Sequence, residues 1–230
     1  MKKLFCLILL LLLSRSLFAQ IDNTFWFVAP EVSSNHGDRP IFIRVSTMED
    51  SATVTLRMPA SPSFSTITQS IPANSTYSFA LTSFIDSIED KPADHVLDRG
   101  LQLSSTHLVT AYYEVANESN PEIFPFKGKN ALGTEFYISG QTDYRNYPNK
   151  GTEAFDIIAT EDSTWITITP TLDIVGHEGG VPFRIMLNKG QTYSARTMIT
   201  TPSASLAGSH VVSNKPIAIT ISDDSIETGG

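Results

Sequence analysis

Apolar and polar residues alternate with a period of two in many short stretches of this chain. In residues 51–58 every second position is apolar, and these positions are Ala52, Val54, Leu56 and Met58. The same alternation occurs in residues 163–169, where Ile166 and Ile168 alternate with threonines. Successive side chains of a strand point to opposite faces, so the pattern predicts strands with one buried face and one solvated face.

Six further stretches have the composition of strands. They are rich in β-branched and aromatic residues, and clusters of Pro, Gly, Asn and Ser separate them. Their sequences are RPIFIRVS, STYSFAL, LVTAYYEVA, AFDIIAT, VPFRIML and KPIAITIS. Only residues 80–90, ALTSFIDSIED, favour a helix. That helix has room for about two or three turns.

A phrase near residue 50 occurs again near residue 162. MEDSATVTLRM, residues 48–58, and TEDSTWITITP, residues 160–170, align at an offset of 112. The three further matching blocks, in the same order, are residues 71–79 with 187–195 at an offset of 116, residues 100–113 with 208–221 at an offset of 108, and residues 24–30 with 135–141. Four matched blocks in one order indicate a duplicated unit of about 110 residues.

The strands and turns predict an all-β fold of two tandem antiparallel β-sandwiches, immunoglobulin-like in shape and related by internal duplication. Each unit should hold about seven strands. We expect the first unit over residues 20–120, a connection over residues 121–132, and the second unit over residues 133–230. A β-propeller is the alternative, but its blades repeat at about 40–50 residues.

The connection is dense in Asn, Pro, Gly and Lys, as its sequence NESNPEIFPFKGKNALG from residue 117 shows. Ile123, Phe124 and Phe126 within it are too apolar for a free linker. We therefore expect these three side chains to pack where the two units meet.

The first 19 residues have the features of a cleavable signal peptide. Lys2 and Lys3 precede ten apolar residues, 4–13, and a short polar stretch leads to Ala19. Ten apolar residues are too few for a transmembrane helix, which needs about 20, so no stable membrane insertion is expected. Cys6 lies too early in this segment to be a lipid-bearing residue. The prediction is a secreted or cell-surface protein cleaved after Ala19.

Cleavage changes both the charge and the chemistry of the chain. It removes three of the 16 basic residues, which leaves 13 against 24 acidic residues and a net charge of about −11. Nucleic acids and anionic membranes bind basic surfaces, so this balance argues against both as partners. The single cysteine also leaves with the signal segment. The mature chain therefore has no disulfide and no thiolate.

Two pairs of adjacent carboxylates invite a catalytic interpretation. Glu49 with Asp50 and Glu161 with Asp162 could serve as general acid and base, as in glycosidases. Both pairs, however, lie at equivalent places in the two units, each between two strand-like runs. Asp and Ser favour tight turns by bonding their own backbone. We interpret both pairs as hairpin turns and predict no catalytic residue.

Other chemistry is sparse. The five histidines never occur at metal-ligand spacing, and there is no nucleophile elbow and no glycine-rich phosphate loop. Asp223 and Asp224 could contribute to a calcium site, but calcium needs six or more oxygen ligands. We therefore predict no metal and no cofactor.

One loop has the composition of a binding site. Residues 141–151, QTDYRNYPNKG, place Tyr144 and Tyr147 on either side of Arg145, and the first unit has no counterpart of similar composition. Tyrosine and arginine are common interface anchors and sugar-stacking residues. We predict that these three residues contact an extracellular protein or a glycan. The alternative is a loop whose tyrosines pack on its own sandwich.

Four phrases of this chain resemble the amino-terminal domain of the IgG-Fc-binding protein family. They are ALGTEFYI from residue 131, FDIIATEDSTWITITP from residue 155, GVPFRIMLNKGQTY from residue 180, and GSHVVSNKPIAIT from residue 208. The resemblance covers nearly the whole mature chain and is strongest in the second unit. It implies a non-enzymatic binding or adhesion module that is secreted or displayed on a cell surface.

The resemblance also implies a larger context. Bacterial members, of the Bacteroidetes type, often continue into a cysteine-containing repeat and end in a sorting domain for type IX secretion. This chain ends at Gly230, where the next repeat would begin, so we expect it to be a fragment. The alternative function is a non-catalytic accessory region of a secreted hydrolase whose enzyme domain lies beyond Gly230.

Overall fold

The computed structural model describes residues 20–32, 37–118, 121–140, 145–146, 152–198, 205–223 and 226–227. The predicted signal peptide lies outside these ranges, so it remains a prediction. No helix in the described ranges is long and apolar enough to cross a membrane.

The first unit is an antiparallel sheet of seven strands. They are β1 (Asp22–Phe27), β2 (Ile41–Thr47), β3 (Ala52–Arg57), β4 (Ile67–Ile71), β5 (Thr76–Ala80), β6 (Leu101–Val115) and β7 (Glu122–Pro125). The hydrogen-bonded order is β4-β3-β6-β2-β5, and β1 and β7 also pair with β6. The predicted helix is present but short, as a 3-10 turn at Thr82–Phe84 followed by α1 (Ile85–Ile88).

The long strand β6 joins the two halves of this sheet. Its first residues, 101–105, pair with β1 and β3, and its last residues, 109–115, pair with β2 and β7. Residues 106–108, between the two sets, are exposed. The sheet curls at this point, so its two halves enclose one apolar core. Ile43 and Tyr113 from one half and Leu56 and Leu103 from the other are at most 1% exposed.

The second unit repeats this arrangement. Its strands are β8 (Gly133–Tyr137), β9 (Arg145–Asn146), β10 (Glu153–Ala159), β11 (Thr164–Thr169), β12 (Phe183–Leu187), β13 (Thr192–Arg196), β14 (His210–Asp223) and β15 (Ile226–Glu227). The order is β12-β11-β14-β10-β13, with β8 also on β14 and a separate β9–β15 pair. A second apolar core includes Phe155, Ile166 and Ile168. The prediction of two all-β sandwich-like units is confirmed.

The strand registers confirm the duplication residue by residue. Val45 lies opposite Tyr77 on β5 and opposite Ala111 on β6. In the second unit, Ile157 lies opposite Tyr193 and Ile219. The three offsets are 112, 116 and 108, the same values as in the sequence alignment. Equivalent positions of the two units can therefore be compared directly.

The repeated acidic phrase forms a turn in both units, but not a hairpin. Residues 49–51 connect β2 to β3 and residues 161–163 connect β10 to β11, and all six are exposed. The strands so joined do not pair, because β6 or β14 lies between them. The turn interpretation is confirmed and the hairpin interpretation is wrong. Alternation reports which face of a strand is buried, but it does not report which strand is its neighbour.

The two units contact each other through the segment before β6. Residues 94–100 run along the free edge of β13, where Leu97 and Thr192 exchange backbone hydrogen bonds of 3.0 and 2.8 Å. Beside this pairing, an apolar cluster joins Trp26 and Val28 of the first unit to Ile158 and Ala218 of the second.

The predicted contact residues of the connection lie elsewhere. Phe126 is buried in the core of the first unit, with its ring centroid 4.8 Å from that of Phe27. Phe124 packs against the same core, whereas Ile123 is 62% exposed. The prediction that these residues pack between the units is wrong. Ile123 and Phe124 belong to β7, which pairs with β6, and Phe126 directly follows that strand.

Candidate binding surface

Six large side chains project from the outer side of the second unit. They stand on strands β12, β11, β14 and β8, and we call this set the aromatic face: Tyr137, Trp165, Arg184, Met186, His210 and Val212. The strands hold them outward because their alternate positions, such as Ile166 and Ile168, are 0% exposed in the core. Core packing on one side of the sheet thus fixes the direction of the side chains on the other.

The members of the aromatic face contact each other in two groups. Trp165 lies directly opposite Met186, and the guanidinium carbon of Arg184 lies 4.3 Å from the centroid of the Trp165 ring. Tyr137 stacks on His210 with the ring centroids 4.4 Å apart and the planes at 9°. Val212 stands between these groups, opposite Thr167. The result is a patch that spans four strands.

The exposure of these residues is unusual for a surface that meets only water. Trp165 is 42% exposed and Tyr137 is 69% exposed. Soluble proteins seldom expose contiguous apolar patches unless the patch binds something. Trp, Tyr, Arg and Met are also the residue types enriched in protein interfaces. The composition of the aromatic face therefore favours a binding role.

The first unit provides an internal comparison for this surface. Its residues at the positions of Trp165, Arg184, Met186, His210 and Val212 are small or polar, and they are Thr53, Thr68, Ser70, Gln102 and Ser104. The same fold is therefore built without large outward side chains there. It follows that the aromatic face serves no general structural need of the unit.

One position of the aromatic face is a contact residue in the other unit. Tyr137 stands opposite His210, as Trp26 of the first unit stands opposite Gln102. Trp26 is 4% exposed because it packs against the second unit. An aromatic side chain at this position is therefore used once, within this chain, to hold a neighbouring β-sandwich.

A group of buried polar side chains lies where the two units meet. Asp156 projects from β10 toward the first unit, opposite Ser194 and Thr220, and none of its oxygens has a hydrogen-bond partner among the described residues. Asp90 of the first unit accepts a hydrogen bond of 2.6 Å from the hydroxyl of Thr192. Both carboxyls are 0% exposed, so neither is accessible to a substrate.

Burial controls the protonation of this pair. Desolvation raises the pKa of Asp156 to about 7, against the opposing attraction of Arg196. Desolvation likewise raises the pKa of Asp90, and the charge of Asp156 raises it further. A buried carboxylate without hydrogen bonds is costly, so the protonated form is favoured in the folded protein.

Asp162, in the acidic turn of the second unit, has a structural role. Asp162 accepts a hydrogen bond of 3.0 Å from the backbone N–H of Lys189, and its carbonyl oxygen accepts one of 2.5 Å from Nζ of Lys215. Within the described ranges, no three His, Cys, Asp or Glu side chains gather as metal ligands. Asp223 ends β14, and Asp224 lies outside the described residues.

The predicted binding loop is not tested by the structure. Tyr144 and Tyr147 lie outside the described residues, and Arg145 is described only as backbone in β9. The aromatic face was not predicted from the sequence. A signal for it was present, because Trp165 occupies a polar position of an alternating strand where the first unit has Thr53.

Comparison with known proteins gives one informative match. Residues 126–227 match the family model described as IgGFc binding protein. No curated protein matches the chain. One solved structure, the cryo-EM structure of broad bean stain virus, aligns over 94% of both chains at 9% identity, with a TM-score of 0.22 that carries no argument about the fold. The matched range contains every residue of the aromatic face. The second unit is therefore similar to the IgGFc binding protein family.

Proposed function

We propose that this chain is a non-catalytic extracellular binding module that holds a protein partner on the aromatic face. The observation that carries this function is the contrast between the two units. Large side chains project from one sheet, whereas hydroxyl and amide side chains occupy five of the six equivalent positions of its sibling. The sixth position, that of Tyr137, is Trp26 in the sibling. The match to a family described by its binding of a protein supports a protein as partner.

The geometry favours Trp165 as the main anchor. It stands on a strand between two neighbours, β12 and β14, with Met186 directly opposite and Arg184 over its ring. A side chain held by a rigid sheet loses little conformational entropy on binding. Truncation of such an anchor typically costs about 2 kcal/mol or more, which is roughly a 30-fold loss of affinity.

The first prediction replaces two anchors by the residues that the sibling unit carries. The double variant Trp165→Thr, Met186→Ser should bind its partner at least roughly 30-fold more weakly, because the apolar centre of the face is removed. Its melting temperature should stay close to that of the wild type, since both side chains project away from the core. Binding is measured on a panel of immobilised extracellular proteins that includes the Fc fragment of immunoglobulin G.

The matched control changes the equivalent surface of the first unit. The double variant Thr53→Ala, Ser70→Ala should bind every partner on the panel as the wild type does. Unchanged binding by the Trp165→Thr, Met186→Ser variant, at an unchanged melting temperature, would contradict the assignment of the aromatic face. Binding to no protein on the panel would contradict the choice of a protein as partner.

The second prediction concerns the loop at residues 141–151, which follows β8 closely in the chain. We include Tyr144, Arg145 and Tyr147 in the proposal as additional contact residues for a protein or a glycan. Replacing all three by Ala should weaken binding on protein and glycan arrays while the melting temperature changes little. Wild-type binding by this triple variant would remove the loop from the binding surface.

The chain's composition is compatible with an extracellular location. The predicted signal peptide, residues 1–19, would deliver the mature chain outside the cytoplasm. The excess of acidic residues favours solubility there. Without a cysteine in the mature chain, its fold is independent of the redox state of that compartment.

A further inference from the structure

A groove opens on the surface where the two units meet. It has a volume of about 430 Å³ and lies between the connection from β3 to β4 and the turn from β12 to β13. The two walls approach closely, because a Cβ added to Gly190 would lie 3.0 Å from the backbone nitrogen of Ala60 and 3.0 Å from Cβ of Pro59. The first unit forms most of the lining, and the second unit completes it with Lys189.

Each wall of the groove contributes one positive charge. Arg57 comes from the end of β3 in the first unit, and Lys189 comes from the turn in the second unit. Arg57 uses Nε to donate a 2.8 Å hydrogen bond to the neutral side chain of Gln102. Across the described parts of the chain, neither cation forms an ion pair with a carboxylate. The Nζ of Lys189 lies 5.8 Å from the centroid of the Trp26 ring, a contact that does not neutralise its charge, so both charges can act on a ligand.

Two free cations at one groove are unexpected in this protein. The chain has 24 acidic and only 16 basic residues, and its net charge is −8. A cleft with charges of one sign on low-dielectric walls attracts ligands of the opposite sign. The planar guanidinium of arginine also matches the oxygen geometry of carboxylate and sulfate groups. The charge pattern thus selects an anionic ligand.

The sequence comparison between the units shows that both cations are specific to this junction. The position of Arg57 is Thr169 in the second unit, and the position of Lys189 is Ala73 in the first. Neither charge is repeated in the sibling. A common requirement of the fold therefore does not account for the presence of either one.

The rest of the lining fits a sugar ring. Ser61 and Thr66 supply hydroxyl groups, and Pro59 and Pro62 supply flat apolar surfaces. Hydroxyls can bond the hydroxyls of a pyranose, and flat apolar surfaces can pack against its C–H face. The volume falls within the range of small-molecule sites, about 300–1,000 Å³. We infer that this groove binds a saccharide that carries a sulfate or carboxylate group.

The first experiment measures ligand class by calorimetry with the whole mature chain. The probes are a sulfated chondroitin disaccharide, a hyaluronan disaccharide whose acid group is a carboxylate, and neutral lactose. We expect at least one of the two acidic disaccharides to bind, with an affinity that falls as salt rises, and lactose to bind at least tenfold more weakly. Equal binding of lactose, or binding of neither acidic disaccharide, would overturn the inference.

The second experiment locates the site. Arg57→Gln and Lys189→Gln should each lower the affinity for the acidic disaccharide about tenfold, because each removes one charge at the groove. Lys129→Gln is the matched control, since Lys129 is an exposed lysine outside the groove lining. The control and both groove variants should have the melting temperature of the wild type. Unchanged affinity in both groove variants would overturn the site.

A third probe separates a saccharide from an acidic peptide. A short polyglutamate peptide carries carboxylates but no sugar ring, so it should bind at least tenfold more weakly than the acidic disaccharide. Equal or tighter binding of the peptide would overturn the saccharide class. Because these variants leave the aromatic face intact, protein binding there should be unaffected, and each site can fail independently of the other.

Discussion

Asn at position 156 in place of Asp156 will stabilise the protein at pH 8 and leave its stability at pH 4 nearly unchanged. Asp156 is fully buried between the two units, and its oxygens lack hydrogen-bond partners in the described structure. Asn has nearly the shape of protonated Asp and carries no charge at any pH. The variant therefore avoids the cost of burying a carboxylate, which the wild type bears at high pH.

The sign and the pH window follow from the pKa of Asp156, which burial raises from 3.8 to about 7 in the folded protein. Below pH 3.8 the carboxyl is protonated in both the folded and the unfolded chain. Between pH 3.8 and about 7 the unfolded chain releases its proton first, so the stability of the wild type falls as the pH rises. Above the folded pKa the loss is complete, and a shift of this size corresponds to about 4 kcal/mol.

The charges around Asp156 determine how much of this loss is realised. From its own sheet Arg196 attracts the carboxylate, and from the first unit Glu31 repels it. Asp90, also from the first unit, is coupled to Asp156 and is itself influenced by Arg99 and Arg196. The two carboxyls therefore titrate as a pair, and the gain from Asp156→Asn should be of the order of 2–4 kcal/mol at pH 8.

Urea unfolding at pH 4, 6 and 8 tests this expectation. The free energy of unfolding of the wild type should fall across this range relative to that of Asp156→Asn. The control variant Asp50→Asn, in an exposed turn, should follow the wild type at every pH. Parallel pH curves for the wild type and Asp156→Asn would contradict the raised pKa.

Ile168→Asp should unfold the second unit at neutral pH. Ile168 is 0% exposed in the core of that unit and lies opposite Phe183 and Val211 on the neighbouring strands. A carboxylate there has no cation and no hydrogen-bond donor to replace water, and such burial costs several kcal/mol. The total stability of a domain is only about 5–15 kcal/mol. One substitution can therefore remove most of it, and Ile166→Asp should act in the same way.

Thr167→Asp is the matched control on the same strand, because Thr167 is exposed and points to the opposite side of the sheet. Substitutions at such positions usually change stability by about 0.5 kcal/mol or less. Circular dichroism should show lost β structure for Ile168→Asp and a normal spectrum for Thr167→Asp. A cooperative, wild-type-like melting curve for Ile168→Asp would contradict the assignment of the core.

The strands and the repeat could be predicted from the sequence because both produce patterns among residues that are close together in the chain. Period-two alternation reports which side chains are buried, and the offsets of 112, 116 and 108 reappear in the strand registers. Which strands pair with each other could not be predicted in this way. The sequence predicts hairpins at the turns after β2 and β10, because alternation does not reveal that β6 or β14 lies between the joined strands.

The contact between the units was predicted at the wrong place for a related reason. Phe124 and Phe126 are apolar residues of a connection, and nothing local shows that β7 and the residue after it return to the first core. The residues that do meet the second unit, Trp26 and Leu97, lie within or before ordinary strands. Likewise, Arg57 and Lys189 are far apart in the sequence, so only the docked fold brings them to one groove.

Trp165 could have been singled out from the sequence alone. A large aromatic residue at a polar position of an alternating strand is a conflict between local pattern and burial, and such conflicts tend to occur at functional sites. Its sibling Thr53 made the conflict visible in the alignment. Arg184 and Met186 gave no comparable signal, because exposed arginine and methionine are ordinary in a strand that faces water.

The pairing of residues 94–100 with the edge of β13 has a consequence for how the chain is made. An unpaired strand edge attracts other chains, and this one would be open in an isolated second unit. Domains generally fold in the order of their synthesis, from the amino terminus. The first unit is complete before β13 is synthesised. Residues 94–100 of the folded first unit can therefore pair with the edge of β13 as soon as that strand forms. The amino-terminal half thus protects the carboxy-terminal half from pairing with other chains while that half folds.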